Sequence, residues 1–229
     1  MAVAAGGLAY EWVALCGGRP SRMPGLVVPA VVLFAGVFAV LDRERWSLVA
    51  LVAGAALAGL SSGRRAMVAG VLYVGLASVA LVWLRGDNAA GRANVLFLVF
   101  VVWASDIGAY AAGRLLGGRK LAPAISPGKT WSGAVGGLLA AMLVGEAAGD
   151  LLAAATIGRA AVVAGLLGLA AQAGDLLESA VKRHFGVKDS GRLIPGHGGL
   201  LDRLDGLLTA APAAAALALL LGRGVVLWQ

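Results

Sequence analysis

The sequence predicts an all-α, polytopic integral membrane protein with about eight transmembrane or membrane-embedded helices, and two observations carry that reading. Of 229 residues, 60% are hydrophobic and 14% charged, which leaves too little polar surface to coat a soluble domain. Uncharged stretches also recur, at 25–41, 46–63, 66–84 and 206–222. Each is near the roughly 20 residues that cross ~30 Å of hydrocarbon as a helix.

Taken in order, the apolar segments fall at 2–16, 25–41, 46–62, 66–84, 93–113, 131–149, 159–181 and 206–222. The first and third are short for a span. Those around Asp106, Glu146 and Asp175 each carry an acid at membrane depth, where ionisable groups usually belong to function. Trp46, Trp83, Trp131 and Trp228 stand at segment ends, as interfacial anchors do. The lone Cys16 excludes an intramolecular disulfide and reads as a packing residue. No cleavable signal peptide is expected, because Met1 lacks a basic flank and Glu11 interrupts the first apolar run. Without linkers or internal repeats, the chain reads as one membrane domain, with 1–92 as helical scaffold and 93–222 as catalytic portion.

Assigning loops alternately to the two sides puts Arg43, Arg45, Arg85, Arg92, Arg159 and Arg223 on one side and the other 13 of the 19 Lys and Arg residues opposite. The positive-inside rule makes the richer side cytoplasmic. That side holds both the 114–130 and the 182–205 loops. The net charge of +7 is then topology and attraction to anionic lipid, not nucleic-acid binding.

Most of the reactive chemistry lies in one run, Ser179-Ala-Val-Lys-Arg-His-Phe-Gly-Val-Lys-Asp-Ser-Gly-Arg-Leu-Ile-Pro-Gly-His-Gly-Gly-Leu-Leu-Asp-Arg-Leu-Asp205. On the helix before it, Asp175, Glu178, Ser179 and Lys182 follow i, i+3, i+4, i+7 spacing and share a face. That face must line a protein interior or a water-filled cavity. It either glues helices together or, with its hard oxygen donors, binds Mg²⁺. Asp202 and Asp205 share a face of a helix starting near residue 200. With Asp175 they form a carboxylate cup for metal, or else they cap the helix and pair with Arg203.

Lys182, Arg183, Lys188 and Arg192 supply charge for phosphates, and Gly191, Gly196, Gly198 and Gly199 let backbone N–H groups approach them. His197, inside Pro195-Gly-His-Gly-Gly199, either touches phosphate, base or an acid or is a structural histidine of the turn. His184 has no expected chemical role. A second constellation runs Asp106-Ile-Gly-Ala-Tyr110, Gly113-Arg114, Gly118-Arg-Lys120 and Ile125-Ser-Pro-Gly-Lys-Thr130. Here Ser126, Lys129 and Thr130 are expected to open the next helix, whose N-terminus suits an anion. Ser-Pro is equally an ordinary helix start.

The spacing S-x-x-K-R, four residues, K-D-S-G, then I-P-G-H-G-G-x-x-D-R-x-D resembles the phosphatidate cytidylyltransferase (CDP-diacylglycerol synthase) family, as does the 106–130 constellation. The likeness covers about residues 95 to 206, with a weaker echo at Tyr10-Glu-Trp12. Ahead of that echo the family carries a further hydrophobic helix, and a start lost by truncation would account for its absence. The chain departs from the family at Ser132, usually acidic, and at Gly206, often serine.

The resemblance implies transfer of CMP from CTP to phosphatidate, giving CDP-diacylglycerol and pyrophosphate, in a multi-pass protein of the inner (cytoplasmic) membrane with its active site at the cytoplasmic face. It implies Asp175, Lys182, Arg183, Lys188, Asp189, Asp202 and Arg203 as the catalytic set. Asp106, Tyr110, Ser126, Lys129, Thr130, Glu178, Ser179, Ser190, Arg192, His197, Gly198 and Gly199 would bind substrate. Mg²⁺, as one or two divalent ions with a monovalent ion beside them, would sit on Asp175, Asp202 and Asp205. A homodimer follows by the same analogy. The rival readings are a CTP-dependent lipid kinase and, outside enzymes, an ion-coupled transporter using Asp106, Glu146 and Asp175.

Overall fold

In the computed structural model, the described residues are 1–19, 21–86, 88–152, 158–191, 193, 198–221 and 226–228. Of the expected site residues, Arg192, Gly196 and His197 lie outside them. Among the described residues the chain forms α1 (Ala2–Leu15), α2 (Val27–Val40), α3 (Glu44–Ser62), α4 (Arg65–Gly86), α5 (Asn88–Leu116), β1 (Lys120–Ala122), β2 (Ser126–Thr130), α6 (Trp131–Leu152), α7 (Arg159–His184) and α8 (Leu201–Leu221). Six of these helices, α3 to α8, are long and apolar enough to cross a membrane.

The short pair is α1 and α2, not the first and third segments. Each has 14 residues, about 21 Å at 1.5 Å per residue. The third segment gains Glu44 and Arg45, because an acid in the first turn suits the helix dipole, and it stops at Gly63 with φ 63°.

Two apolar clusters organise the bundle. The first joins α1, α2, α3 and the start of α4 with Leu201 and Leu208. The second joins the end of α4, α5, α6, α7 and the rest of α8. Helices α4 and α8 thus serve both, and the expected scaffold and catalytic portions share a wall. Within the second cluster α6 buries Gly133, Gly137, Ala141 and Gly145, a four-residue stripe of small side chains that lets backbones approach. A Cβ at Gly137 would lie 2.7 Å from the Ser105 carbonyl on α5.

Four connections meet at one end. Arg64 Nη1 donates to the Gly17 carbonyl at 3.1 Å, Arg183 Nε donates to the Ile125 carbonyl at 3.2 Å, and the Leu201 amide donates to Glu11 Oε2 at 2.8 Å. These contacts gather the 16–26, 63–64, 117–130 and 185–200 connections, which are the Lys- and Arg-rich loops of the sequence.

At the other end Glu146 accepts from the Gly158 and Ala161 amides, both at 2.9 Å. It caps α7, which has no capping side chain of its own. An ion-coupling role for Glu146 therefore has no support here. Glu146→Ala should lower unfolding free energy by about 1 to 2 kcal/mol, read as a lower Tm in detergent, with turnover per folded molecule unchanged. Reduced turnover at unchanged Tm would contradict this assignment.

Trp228 corrects another expectation. It is fully buried, stacked on Phe97 at 4.3 Å, and belongs to the core. Trp46 and Trp131 remain exposed, as anchors should be.

Candidate active site

The basic end of the bundle holds a cavity of about 720 Å³ whose polar wall includes Asp106, Tyr110, Arg114, Lys129, Thr130, Gln172, Asp175, Lys182, Asp202 and Asp205. Helices α5, α6, α7 and α8 and strand β2 all contribute. Eight of the expected site residues are brought together in this way: Asp106, Tyr110, Lys129, Thr130, Asp175, Lys182, Asp202 and Asp205.

Lys129 and Thr130 arrive differently from expectation. Ser126–Thr130 is a strand, paired antiparallel with Lys120–Ala122, not the first turn of a helix. Pro127 biases Ser126 to extended backbone, and the hairpin supplies partners for it. Helix α6 then begins at Trp131, with Thr130 Oγ1 accepting the Gly133 amide at 3.0 Å as its cap. Ser132 shares a 3.0 Å hydrogen bond with Thr130 Oγ1 and donates to the Gly117 carbonyl. A carboxylate, which only accepts, could not make the second bond, so the residue that departs from the family pattern ties the first turn of α6 to the connection just after α5.

The two lysines differ in kind. Lys129 Nζ lies 2.5 Å from Asp175 Oδ2, with the side chains 25% and 35% exposed. A pair so open to solvent is worth about 0 to 1 kcal/mol, so a ligand can break it. Lys182 is held between Asp202 Oδ1 at 2.7 Å and Glu178 Oε2 at 2.6 Å. The Glu178 contact is a charge pair outside hydrogen-bonding alignment, and Glu178 Oε1 has no hydrogen-bond partner among the described residues. Glu178 is completely buried. It backs Lys182 and does not line the cavity. Removing one member of such a buried cluster costs about 3 to 5 kcal/mol, so Lys182 is fixed.

Asp202 organises the loop. Its carboxylate accepts from Lys182 Nζ at 2.7 Å, from the Ser190 amide and hydroxyl, each at 3.0 Å, and from the Gly199 amide at 2.9 Å. Three of those donors converge on Oδ2 while Lys182 takes Oδ1, which the Ser190 amide also approaches at 3.2 Å. Asp175 meets Lys129, and Asp205 Oδ1 accepts the Gly206 amide at 2.7 Å. Among the described residues no three His, Cys, Asp or Glu side chains are gathered closely enough to hold one ion, so the expected three-carboxylate cup is not formed. The donor set still fits a hard cation: Asp175 and Asp205 face the cavity with oxygen to spare, and Asp202 stands beside them.

The remaining expected residues stand around this wall. Ser190 and Gly199 are buried in the loop that Asp202 gathers, and Gly198 adjoins them with φ 85°. Ser179 is buried on α7, while Lys188, Asp189 and Arg203 are exposed. Arg183 spends Nε on Ile125 and Nη1 on the Val187 carbonyl at 3.2 Å, which ties α7 to the hairpin. Ser126 is half-buried at the other end of β2.

Three further participants stand here, of which Arg114 belongs to the second constellation and Gln172 carries no signal in sequence. Gln172 lines the cavity, with Nε2 donating to Ser105 Oγ at 3.2 Å and the Ala134 carbonyl at 3.1 Å. Arg114 reaches back one turn to Tyr110 Oη at 2.7 Å. Glu11, only 1% exposed, comes from α1 and lies under the loop. It fills the space a Cβ would need at Gly191 and Gly199, at 2.6 Å and 2.8 Å. Its traces in sequence are the Tyr10-Glu-Trp12 echo and the break it makes in the first apolar run.

Similarity to known proteins agrees with this geometry. The sequence model of the cytidylyltransferase family matches residues 1–221. A phosphatidate cytidylyltransferase of Brucella suis is 47% identical over 206 residues, 88% of this chain and 76% of the relative. One from Staphylococcus epidermidis is 37% identical over 207 residues, 89% and 70% of the two chains. One from Staphylococcus saprophyticus is 43% identical over 151 residues, 62% and 54%. With the match spanning every helix and both walls of the cavity, the chain belongs to the cytidylyltransferase family.

Proposed function

We propose that the cavity between α5, β2, α7 and α8 holds the phosphates of CTP beside the headgroup of phosphatidate. The chain is a membrane nucleotidyltransferase that transfers CMP from CTP to phosphatidate, giving CDP-diacylglycerol and pyrophosphate. One observation carries the placement: four acids and two lysines from four elements line a single cavity at the end where the basic loops meet. By the positive-inside rule that end faces the cytoplasm, where CTP is available, and the membrane is the cell's inner one.

A phosphate oxygen of phosphatidate attacks the α-phosphorus of CTP in line, and the bond from that phosphorus to the β-phosphate oxygen breaks. The attacking phosphate monoester is already largely dianionic near neutral pH, its second pKa being about 6. A strong general base is therefore unnecessary. The barrier lies in bringing two anions together and in charge growing on pyrophosphate. Lys182, clamped by Asp202 and Glu178, presents a fixed positive charge. Lys129, on a weak pair, can turn from Asp175 to an incoming phosphate oxygen. Asp175 and Asp205, with Asp202 beside them, would hold Mg²⁺, which when bound offsets triphosphate charge. Tyr110 and Arg114, exposed near the end of α5, suit the lipid headgroup.

Incubation with CTP, Mg²⁺ and phosphatidate tests this reading. Label from the α-phosphate of CTP should enter the lipid while label from the γ-phosphate leaves as pyrophosphate. Transfer of γ-label to lipid, with CDP released, would instead make the protein a kinase.

A further inference from the structure

A second pocket opens at the same end of the bundle and shares no lining residue with the reaction cavity. It measures about 560 Å³ and lies between the connection after α1 and the one between α3 and α4. Arg19, Arg22 and Arg64 line it, and among its described lining residues there is no acid. None of the three takes part in the ion pairs formed among the described residues.

The cradle is built rather than incidental. Arg64 Nη1 is pinned to the carbonyls of Cys16 and Gly17, at 3.4 Å and 3.1 Å. The Gly18 amide donates to the Val13 carbonyl at 2.8 Å. Gly25 packs so closely on Arg19 that a Cβ there would collide with the Arg19 carbonyl. The hydroxyls of Ser61 and Ser62 both donate to the Ala58 carbonyl, so guanidinium groups are the side-chain donors left for an occupant. Arg19, Arg22 and Arg64 are exposed, so water screens their mutual repulsion, but three positive groups around one cavity with no acid among its described lining residues favour an anion there, and guanidinium forks match phosphate oxygens.

We propose that this pocket is a second, non-catalytic site that seats the phosphate of an anionic phospholipid headgroup. A phosphate oxyanion is the shared chemistry of a lipid headgroup and free phosphate, and two neighbours favour the lipid. Met23 and Leu26 are 74% and 44% exposed beside the arginines, apolar surface that an acyl chain would cover. The pocket also lies at the helix ends, the level at which headgroups stand and attract basic residues.

Native mass spectrometry of the protein in neutral detergent, titrated with dioleoylphosphatidylglycerol, dioleoylphosphatidylcholine or inorganic phosphate, tests the site. The Arg19→Gln/Arg22→Gln double variant should bind phosphatidylglycerol about 30-fold more weakly, the loss expected for two charges near an anionic headgroup. Phosphatidylcholine binding should not change, and inorganic phosphate should not displace phosphatidylglycerol. Turnover of CTP with phosphatidate in phosphatidylcholine vesicles should be preserved, which also reports an intact fold. Arg43→Gln/Arg45→Gln, at the opposite end, should leave phosphatidylglycerol binding intact. Equal affinity in wild type and the Arg19/Arg22 variant, or an equal loss in the Arg43/Arg45 variant, would overturn the site. Displacement by inorganic phosphate would overturn the lipid assignment.

Discussion

Asp202→Asn is expected to reduce turnover at least about a hundredfold, the scale of loss when reacting groups are displaced by an ångström, while the protein still folds in detergent. The reason is the polarity of its neighbours. Lys182 Nζ, the Ser190 amide, the Ser190 hydroxyl and the Gly199 amide all donate to this carboxylate. An amide side chain offers one accepting oxygen and turns its NH₂ toward donors. Lys182 would keep only Glu178 as counter-charge, and the loop from 186 to 200 would lose the group that gathers it. Amide exchange in that loop should rise alongside the loss of turnover. Full activity in the Asn variant would mean that Asp202 neither organises the loop nor serves the reaction.

Gly199→Ala is the second large effect, and it acts by volume. A Cβ there would collide with Ser190 Oγ and come within 2.8 Å of Glu11 Oε2 and 2.9 Å of the Gly191 amide. Glu11 cannot easily retreat, because it is buried and its Oε2 holds the Leu201 amide. The added methyl must therefore push the loop off Asp202, at a cost of about 1 to 3 kcal/mol of stability and about a hundredfold in turnover. Gly36→Ala, with nothing near its Cβ position, is the control and should behave as wild type in both assays. A Gly199→Ala protein with wild-type turnover and Tm would show that the loop has slack.

The helical framework was readable because lipid makes a strong demand: each long apolar run must satisfy its backbone internally, so length and hydropathy nearly define the spans. The i, i+3, i+7 spacing of Asp175, Glu178 and Lys182 placed them on one face, but spacing cannot say which members of a face reach a cavity. Packing of α7 against α8 decided that Glu178 is buried behind Lys182. The strand at Ser126–Thr130 escaped because a five-residue hairpin arm has little periodicity, and Ser-Pro is a start signal for helix as well as a cause of extended backbone. Glu11 escaped because its partner lies 190 residues away. A lone acid in an apolar run announces that it must be satisfied, but not where. Trp228 likewise looked interfacial by position, and only the return of the tail onto Phe97 makes it core.

The most direct measurement of the central claim is a cryo-EM map of the protein in nanodiscs with a CTP analogue that cannot be cleaved between its α- and β-phosphates. Triphosphate density is predicted in the cavity bounded by Asp106, Lys129, Asp175, Lys182 and Asp205, with Lys129 drawn away from Asp175. Triphosphate density elsewhere, for instance among Arg19, Arg22 and Arg64, with the Lys129 to Asp175 pair undisturbed, would contradict it.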